Sequence, residues 1–456
     1  MDHDVTMNQH TTPSRLRQGM GGGLLFAFIL GDVLGAGVYA LTGELAAQAG
    51  GITWLPIAIA LAMALLTAGS YAELVTKYPR AGGSAVFAQR AFRRPVISFL
   101  VGFCMLCAGV VSVAGLAVAF SGDYLGTFFS VPVSVAAPVF LLMLALINLR
   151  GIKESVRSNL VMTVIEVSGL VLVLVLVGLA LSDGQGEPGR VLEFPETGAP
   201  WAVFGAALLA FYSFVGFETS ANVAEEVRGV TRVYPRALFG ALAVAGIVYV
   251  LIALASSAML PPEDLAGTSG PLLAVVTATG YSIPGWAFSA VALVAVANGA
   301  LLTSVMSSRL TYGMAEEGLL PGVFGRLLPA RRTPWVAILA TTAISALLAV
   351  VGSLALLAET VVLLLLFVFI STNLAVLVLR GDKPGHDHFR VATAVSVAAL
   401  VSCVALLTQQ SWQAWALGGG LIVLGLVLHL LHRRVGGRGH RVDQSADAEQ
   451  TIRSRD

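Results

Sequence analysis

What most constrains this chain is a series of long apolar runs without a single charge. Pro95–Gly122 and Ala237–Pro262 contain no Asp, Glu, Lys or Arg. A hydrocarbon core about 30 Å thick is crossed by roughly 20 apolar residues in helical form. No water reaches the backbone there, so each run must satisfy its own N–H and C=O groups as a helix. The runs are too long and too continuous for the ~10-residue alternating strands of a membrane barrel. Twelve follow one another, at 21–48, 52–75, 96–121, 131–149, 159–181, 201–225, 236–260, 284–314, 334–353, 355–379, 391–408 and 411–432. Charged residues are 12% of the chain, against about 25% in a soluble domain, which excludes a soluble fold. Only Gly352 and Ser353 separate spans nine and ten. The first run lacks a small-residue cleavage site and reads as a span, not a signal peptide.

Basic residues set the orientation. With the N-terminus inside, every one of the 27 Lys and Arg residues except Arg190 falls in an inward-facing interval, the bias expected of an inner-membrane protein with both termini cytoplasmic. The outward intervals carry acids instead: Asp183, Glu187, Glu193, Glu196, Glu263 and Asp264. The basic loops are therefore a topology signal, and no nucleic-acid partner is assigned to them. Residues 436–456 are polar and read as a disordered tail.

Nothing in the chain reads as a catalytic, cofactor or metal site. Cys104 and Cys107 form a CxxC, but in the middle of a charge-free span, where thiolates are disfavoured. With Cys403 they read as packing residues. His386-Asp387-His388 lies in a short inward loop and reads as solvated. His429 and His432 sit at the inner end of the last span, at headgroup depth. There is no Ser-His-Asp set, Walker loop or zinc-protease motif, and no interval is long enough for a nucleotide domain or a sensor's output domain.

Two spans are interrupted. Span one reads Gly31-Asp32-Val33-Leu34-Gly35-Ala36-Gly37-Val38-Tyr39, and span six Phe211-Tyr212-Ser213-Phe214-Val215-Gly216-Phe217-Glu218-Thr219. Glycine weakens a helix interior by roughly 1 kcal/mol against alanine. Unwound backbone at membrane depth survives where it lines a cavity. It exposes N–H groups on one half-helix and carbonyls on the other, which suit the carboxylate and the ammonium of an amino acid. Gly31 and Gly35 also fit small-residue helix packing. A second break five spans later favours binding, because five is the spacing of an inverted repeat. Asp32, Glu166 and Glu218 lie in apolar spans, where a charge costs about 2.5–3.5 kcal/mol on the insertion scale. No Lys or Arg lies at that depth. A proton, a sodium ion or a cationic substrate group must therefore satisfy these acids. Glu44 and Glu359 fall near the outer boundary, where hydration suffices.

Four stretches in order resemble the amino acid–polyamine–organocation (APC) superfamily of permeases, near the branch of the cationic amino acid transporters. They are Gly35-Ala36-Gly37-Val38-Tyr39; Tyr71-Ala72-Glu73-Leu74 with Tyr78-Pro79-Arg80-Ala81-Gly82-Gly83-Ser84; Tyr212 to Glu218 with Glu225-Glu226 and Tyr234-Pro235-Arg236-Ala237; and Ser308-Arg309-Leu310-Thr311-Tyr312-Gly313 running on to Pro321. The resemblance extends from span one to about span ten. It implies an all-α LeuT-type fold: a first five-helix repeat at 21–181, a second, inverted one at 201–379, and two further helices at 391–432, flanked by tails at 1–20 and 436–456. It implies a substrate carboxylate held near Gly35, Ala36, Gly37 and Val38, an ammonium held by carbonyls near Phe211, Tyr212, Phe214 and Gly216, and Tyr212 as an aromatic gate.

The chain also departs from the family pattern. Gly229-Val230 stands where relatives commonly have Asn-Pro. Glu166 stands where several proton-coupled relatives carry a lysine, so a lysine mechanism does not carry over. Thr303, Ser304, Ser307 and Ser308 in span eight face the region where sodium-dependent relatives bind their ion. The expectation is an amino acid permease, proton-coupled through Glu166, Asp32 and Glu218, working by alternating access. It needs no cofactor; its partners are an amino acid or amine substrate, H+ or Na+ and the bilayer. An exchanger or uniporter for amino acids or polyamines, and a sodium symporter, are the alternatives, with a non-transporting sensor more remote.

Overall fold

The computed structural model describes residues 20–34, 37–79, 82–150, 155–195, 199–329 and 331–430, with backbone alone at 155–159 and 199. Among these residues the chain is helical, and its one isolated bridge pairs Met20 with Val227. Ten helices are long and apolar enough to cross a bilayer, and the shorter apolar helices Trp335–Val351 and Thr393–Leu407 bring the spans to twelve. Each run read from the sequence corresponds to one of them. The chain is thus an all-helical, multi-pass membrane protein.

The tight junction between spans nine and ten shows how little sequence is needed to end a helix. Trp335–Val351 stops at Gly352, and Leu354–Val378 begins one residue after Ser353. The Ser353 Oγ accepts the Leu356 N–H at 3.2 Å, which satisfies one of the donors that a helix start leaves open. Span ten is then buried on nearly all sides, whereas span four, Val133–Arg150, turns Val139, Leu142 and Leu146 outward. In hydrocarbon an outward aliphatic face carries no penalty.

The two ends of the bundle are each tied together across loops. At one end the Met20 N–H donates to Glu226 O and the Arg228 N–H to Met20 O, both at 3.0 Å. There too Lys77 Nζ donates to Leu379 O at 2.6 Å, and Arg331 donates to Arg150 O at 2.7 Å. At the other end Arg190 pairs with Glu187 at 2.9 Å and donates to Ser257 O at 3.3 Å, and Trp54 Nε1 donates to Val191 O at 3.0 Å. These contacts join inward-assigned intervals to one another and outward-assigned intervals to one another, and none of them joins the two sets.

The loop carrying His386-Asp387-His388 leaves His386 and Asp387 exposed, as read from the sequence, and is anchored to span two. His386 Nε2 lies 3.1 Å from Thr76 O, Phe389 N–H donates to Thr76 Oγ1 at 3.0 Å, and Val391 N–H donates to Glu73 Oε2 at 2.9 Å. Tyr78 just beyond span two donates its hydroxyl to Asp382, and burial together with that carboxylate pushes the phenol up from its ordinary value.

Candidate functional site

Span six does not run through as one helix. Ala199–Tyr212 ends where the N–H groups of Ser213, Phe214 and Val215 each reach only three residues back, to Ala210, Phe211 and Tyr212 carbonyls at 3.0, 3.0 and 3.1 Å. Gly216 follows with φ +125°, a conformation that side chains rarely allow. The chain then winds on as the 3-10 helix Phe217–Glu226. Glu218, in its first turn, accepts the Gly216 N–H at 2.9 Å, the position where a carboxylate suits open N–H groups and the helix dipole.

Span one is described as Gly22–Leu34 and Gly37–Ala49; Gly35 and Ala36, which the sequence assigns to the substrate cradle, lie outside the described residues. The Val33 carbonyl, in the last turn of the first half, receives the Tyr249 hydroxyl at 2.6 Å. Spans one and six meet backbone to backbone. A Cβ at Gly37 would stand 2.7 Å from Ser213 Cα, and one at Gly216 2.9 Å from Asp32 O. Glycine is required at both positions for this approach. The Thr219 hydroxyl bonds Asp32 Oδ2 and stands 2.7 Å from Gly216 O.

Between these segments and spans three, eight and ten lies a cavity of about 340 Å³. One wall is polar: Asp32, Gly37, Ser213, Gly216, Glu218 and Thr219. The facing wall is largely apolar, with Met105, Ala108, Met306, Val361 and Leu365. Tyr212 borders both, its hydroxyl 3.1 Å from Ser112 Oγ. The cavity extends past Asn222 to Gly82, Glu226 and Arg309, at the end of the bundle that carries the basic loops. Tyr39, in the second half of span one, is buried outside the cavity lining; its carbonyl accepts the Tyr124 hydroxyl at 2.9 Å and its ring lies 6.4 Å from that of Phe288.

The structure brings together Asp32, Gly37, Tyr212, Gly216, Glu218, Thr303 and Ser307 of the residues picked out from sequence. Val38, Phe211, Phe214, Ser304 and Glu166 do not line the cavity. The Phe211 ring packs on Phe369 at 5.9 Å and the Phe214 ring on Tyr249 at 5.4 Å. The Phe211 and Tyr212 carbonyls already accept one N–H each, leaving one lone pair apiece. Ser308 is turned to span four, where Asn148 Nδ2 donates to it at 3.3 Å.

Glu166, which the sequence groups with Asp32 and Glu218, stands outside the cavity lining. It is fully buried, and neither carboxyl oxygen has a hydrogen-bond partner among the described residues. Its main-chain carbonyl accepts the Tyr39 hydroxyl at 2.9 Å. Asp32 is partnered from span six instead. Sequence reasoning gave no role to Thr219, although Gly216 and Thr219, three apart, span one 3-10 turn.

Comparison with known proteins gives a consistent picture. Residues 24–434 match the family described as amino acid permease. The chain is 26% identical to the branched-chain amino acid permease of Bacillus subtilis (strain 168), over 89% of this chain and 90% of that protein. It is 26% identical to the methylthioribose transporter of the same organism, over 89% and 91%. It is 29% identical to cationic amino acid transporter 4 of Homo sapiens, over 78% of this chain and 59% of that one.

Proposed function

The chain belongs to the amino acid permease family and is an amino acid transporter, and from that premise we propose that it takes up its substrate with protons by alternating access. The observation that carries this reading is the cavity between the interrupted spans one and six. Gly37 heads a half-helix whose N-terminal dipole suits a carboxylate. The family resemblance assigns Gly35, Ala36 and Val38 to the same cradle. Across from it the free lone pair of the Tyr212 carbonyl, on a residue that lines the cavity with Gly216, suits an ammonium, and the resemblance adds Phe211 and Phe214 of the same turn. Small-molecule pockets run from about 300 to 1,000 Å³, and the cavity falls at the small end of that range. Tyr212 acts as the gate between the two walls.

The apolar facing wall supports an amino acid with an apolar side chain, and a branched-chain amino acid permease among the relatives supports the same class. The basic loops support a cavity mouth and termini on the cytoplasmic side of the inner membrane, and on that reading this conformation is open inward. The repeats at 21–181 and 201–379 rock against each other to open the other side. Asp32, Glu218 and Glu166 are the acids from which coupling is drawn, and Thr303 and Ser307 are hydroxyls that reach the same cavity.

The test is a panel of tritiated L-amino acids offered to proteoliposomes, first with an imposed pH gradient and then with a sodium gradient. We expect accumulation of an apolar amino acid under the pH gradient. Accumulation with sodium alone would overturn proton coupling, and accumulation of lysine or arginine in preference to apolar residues would overturn the assignment of the apolar wall.

A further inference from the structure

We propose that Asp32 binds the coupling proton and that the Thr219 hydroxyl passes its protonation state to the backbone of the span-six break; this rests on the reading of the chain as a proton-coupled permease. The inference comes from counting hydrogens. A threonine hydroxyl has one hydrogen to donate. Thr219 Oγ1 lies within hydrogen-bonding reach of two acceptors, Asp32 Oδ2 and Gly216 O. With Asp32 ionised, the hydrogen goes to Asp32, and Gly216 O keeps only the Thr219 N–H, at 3.0 Å. With Asp32 protonated, the acid donates to Thr219, and Thr219 donates on to the second lone pair of Gly216 O. One proton arriving on a carboxylate oxygen thus reverses the bond between Asp32 and Thr219 and adds one hydrogen bond at Gly216.

Gly216 is well placed to act on that difference. Its N–H is held by Glu218 and its carbonyl by Thr219, so one of its peptide groups is tied to an acid directly and the other to Asp32 through the Thr219 hydroxyl. It adopts φ +125° and lies against the Asp32 main chain. Its neighbour in the break, Ser213, touches Gly37 at the head of the second half of span one. A change at Gly216 is therefore felt where substrate carboxylate and ammonium are held.

Access supports the same residue. Asp32 and Thr219 line the cavity, which is open at one end, and Glu166 does not. The ionisable groups facing Asp32 can be named element by element. Span six presents Glu218 and, toward the mouth, Glu226. Span eight presents Arg309 at the mouth. Span seven presents Tyr249, bonded to Val33 O, and Arg236 beside Gly22, ten residues or about 15 Å down the half-helix. Span five presents Glu166, enclosed within the bundle.

The experiment uses the purified protein in liposomes with the tritiated L-amino acid it accumulates best. One pH unit can drive at most about tenfold accumulation for one proton per substrate. For Asp32→Asn we expect that accumulation to be lost while exchange of labelled for unlabelled substrate, though slowed, persists. Infrared difference spectra taken without substrate should show a protonated-carboxyl band that titrates in the parent and is missing in Asp32→Asn. Thr219→Val should keep the band but lose pH-driven accumulation, and Thr219→Ser should restore it. If Asp32→Asn does not purify as a monodisperse protein, the Thr219 pair decides the matter.

Continued pH-driven accumulation by Asp32→Asn, or by Thr219→Val, overturns the assignment. So does a folded Asp32→Asn that has lost exchange as well, because Asp32 is then a substrate ligand. A parent that ignores the pH gradient overturns the underlying reading instead.

Discussion

Gly37→Ala is the smallest change that strikes the contact between the two interrupted spans. An alanine Cβ at 37 would stand 2.7 Å from Ser213 Cα and 3.0 Å from Ser213 Cβ and Oγ, where ordinary contacts lie at 3.4–4 Å. The nearest atom is main chain and cannot swing aside, so the segments must separate by more than half an ångström, which is what costs energy. Overpacking of this kind costs about 1–3 kcal/mol, against a helix-propensity gain for alanine of about 1 kcal/mol. Strain falling on the conformation in which the segments touch shifts its population by about 5- to 150-fold. We expect Gly37→Ala to lower uptake by at least about fivefold, ~1 kcal/mol, with a lower unfolding temperature in detergent. Gly23→Ala is the control: a Cβ there meets nothing within 4 Å, and uptake and unfolding temperature should stay at or slightly above those of the parent. Uptake and melting of Gly37→Ala equal to those of Gly23→Ala would refute the close approach and with it the two-sided cradle.

Three further outcomes are expected. In intact cells an impermeant thiol reagent should label Glu187→Cys and leave Arg331→Cys unlabelled; position 187 is better than 190 because the Glu187 side chain is 72% exposed and that of Arg190 11%, and the native Cys104, Cys107 and Cys403 are buried. Glu166→Gln should fold and keep pH-driven accumulation within about threefold of the parent, since it replaces an acid that already lacks partners by a neutral group of the same shape; loss of accumulation with exchange retained would return the coupling role to Glu166. Ser353→Ala should lower stability by about 0.5–2 kcal/mol through the lost cap between spans nine and ten, read as a fall in melting temperature with the substrate preference unchanged.

The spans and their alternation were legible because both follow from properties local to the chain: an apolar run long enough to cross, and the sign of the charge at its ends. The stop in span six was also legible, since Gly216 marks it in the sequence. What the sequence could not provide was helix phase relative to neighbours. Thr303 and Ser307 are four residues apart on one helical face, and Ser304 and Ser308 occupy the next face round. Periodicity separates the two pairs, but only packing against spans three and four shows that the first pair meets the cavity and that Ser308 of the second meets Asn148. For Glu166 likewise the depth was readable, and that it lies outside the cavity lining was not.

The three intramembrane acids are best understood by what meets each of them. Sequence gives them equal standing, because no Lys or Arg lies at their depth. Glu218 has a backbone N–H and the first turn of a helical segment, the end whose dipole tolerates a negative charge. Among the described residues Glu166 has neither donor nor cavity, and an ionised carboxylate there would be uncompensated. Asp32 stands between these cases. It lies in the last turn of Gly22–Leu34, where the helix dipole opposes a negative charge, and its partner is a hydroxyl that can either donate or accept. A fixed N–H such as the one on Glu218 favours one protonation state, whereas a hydroxyl supports both, and a coupling site must be stable in both. That difference, more than burial, separates Asp32 from the other two acids.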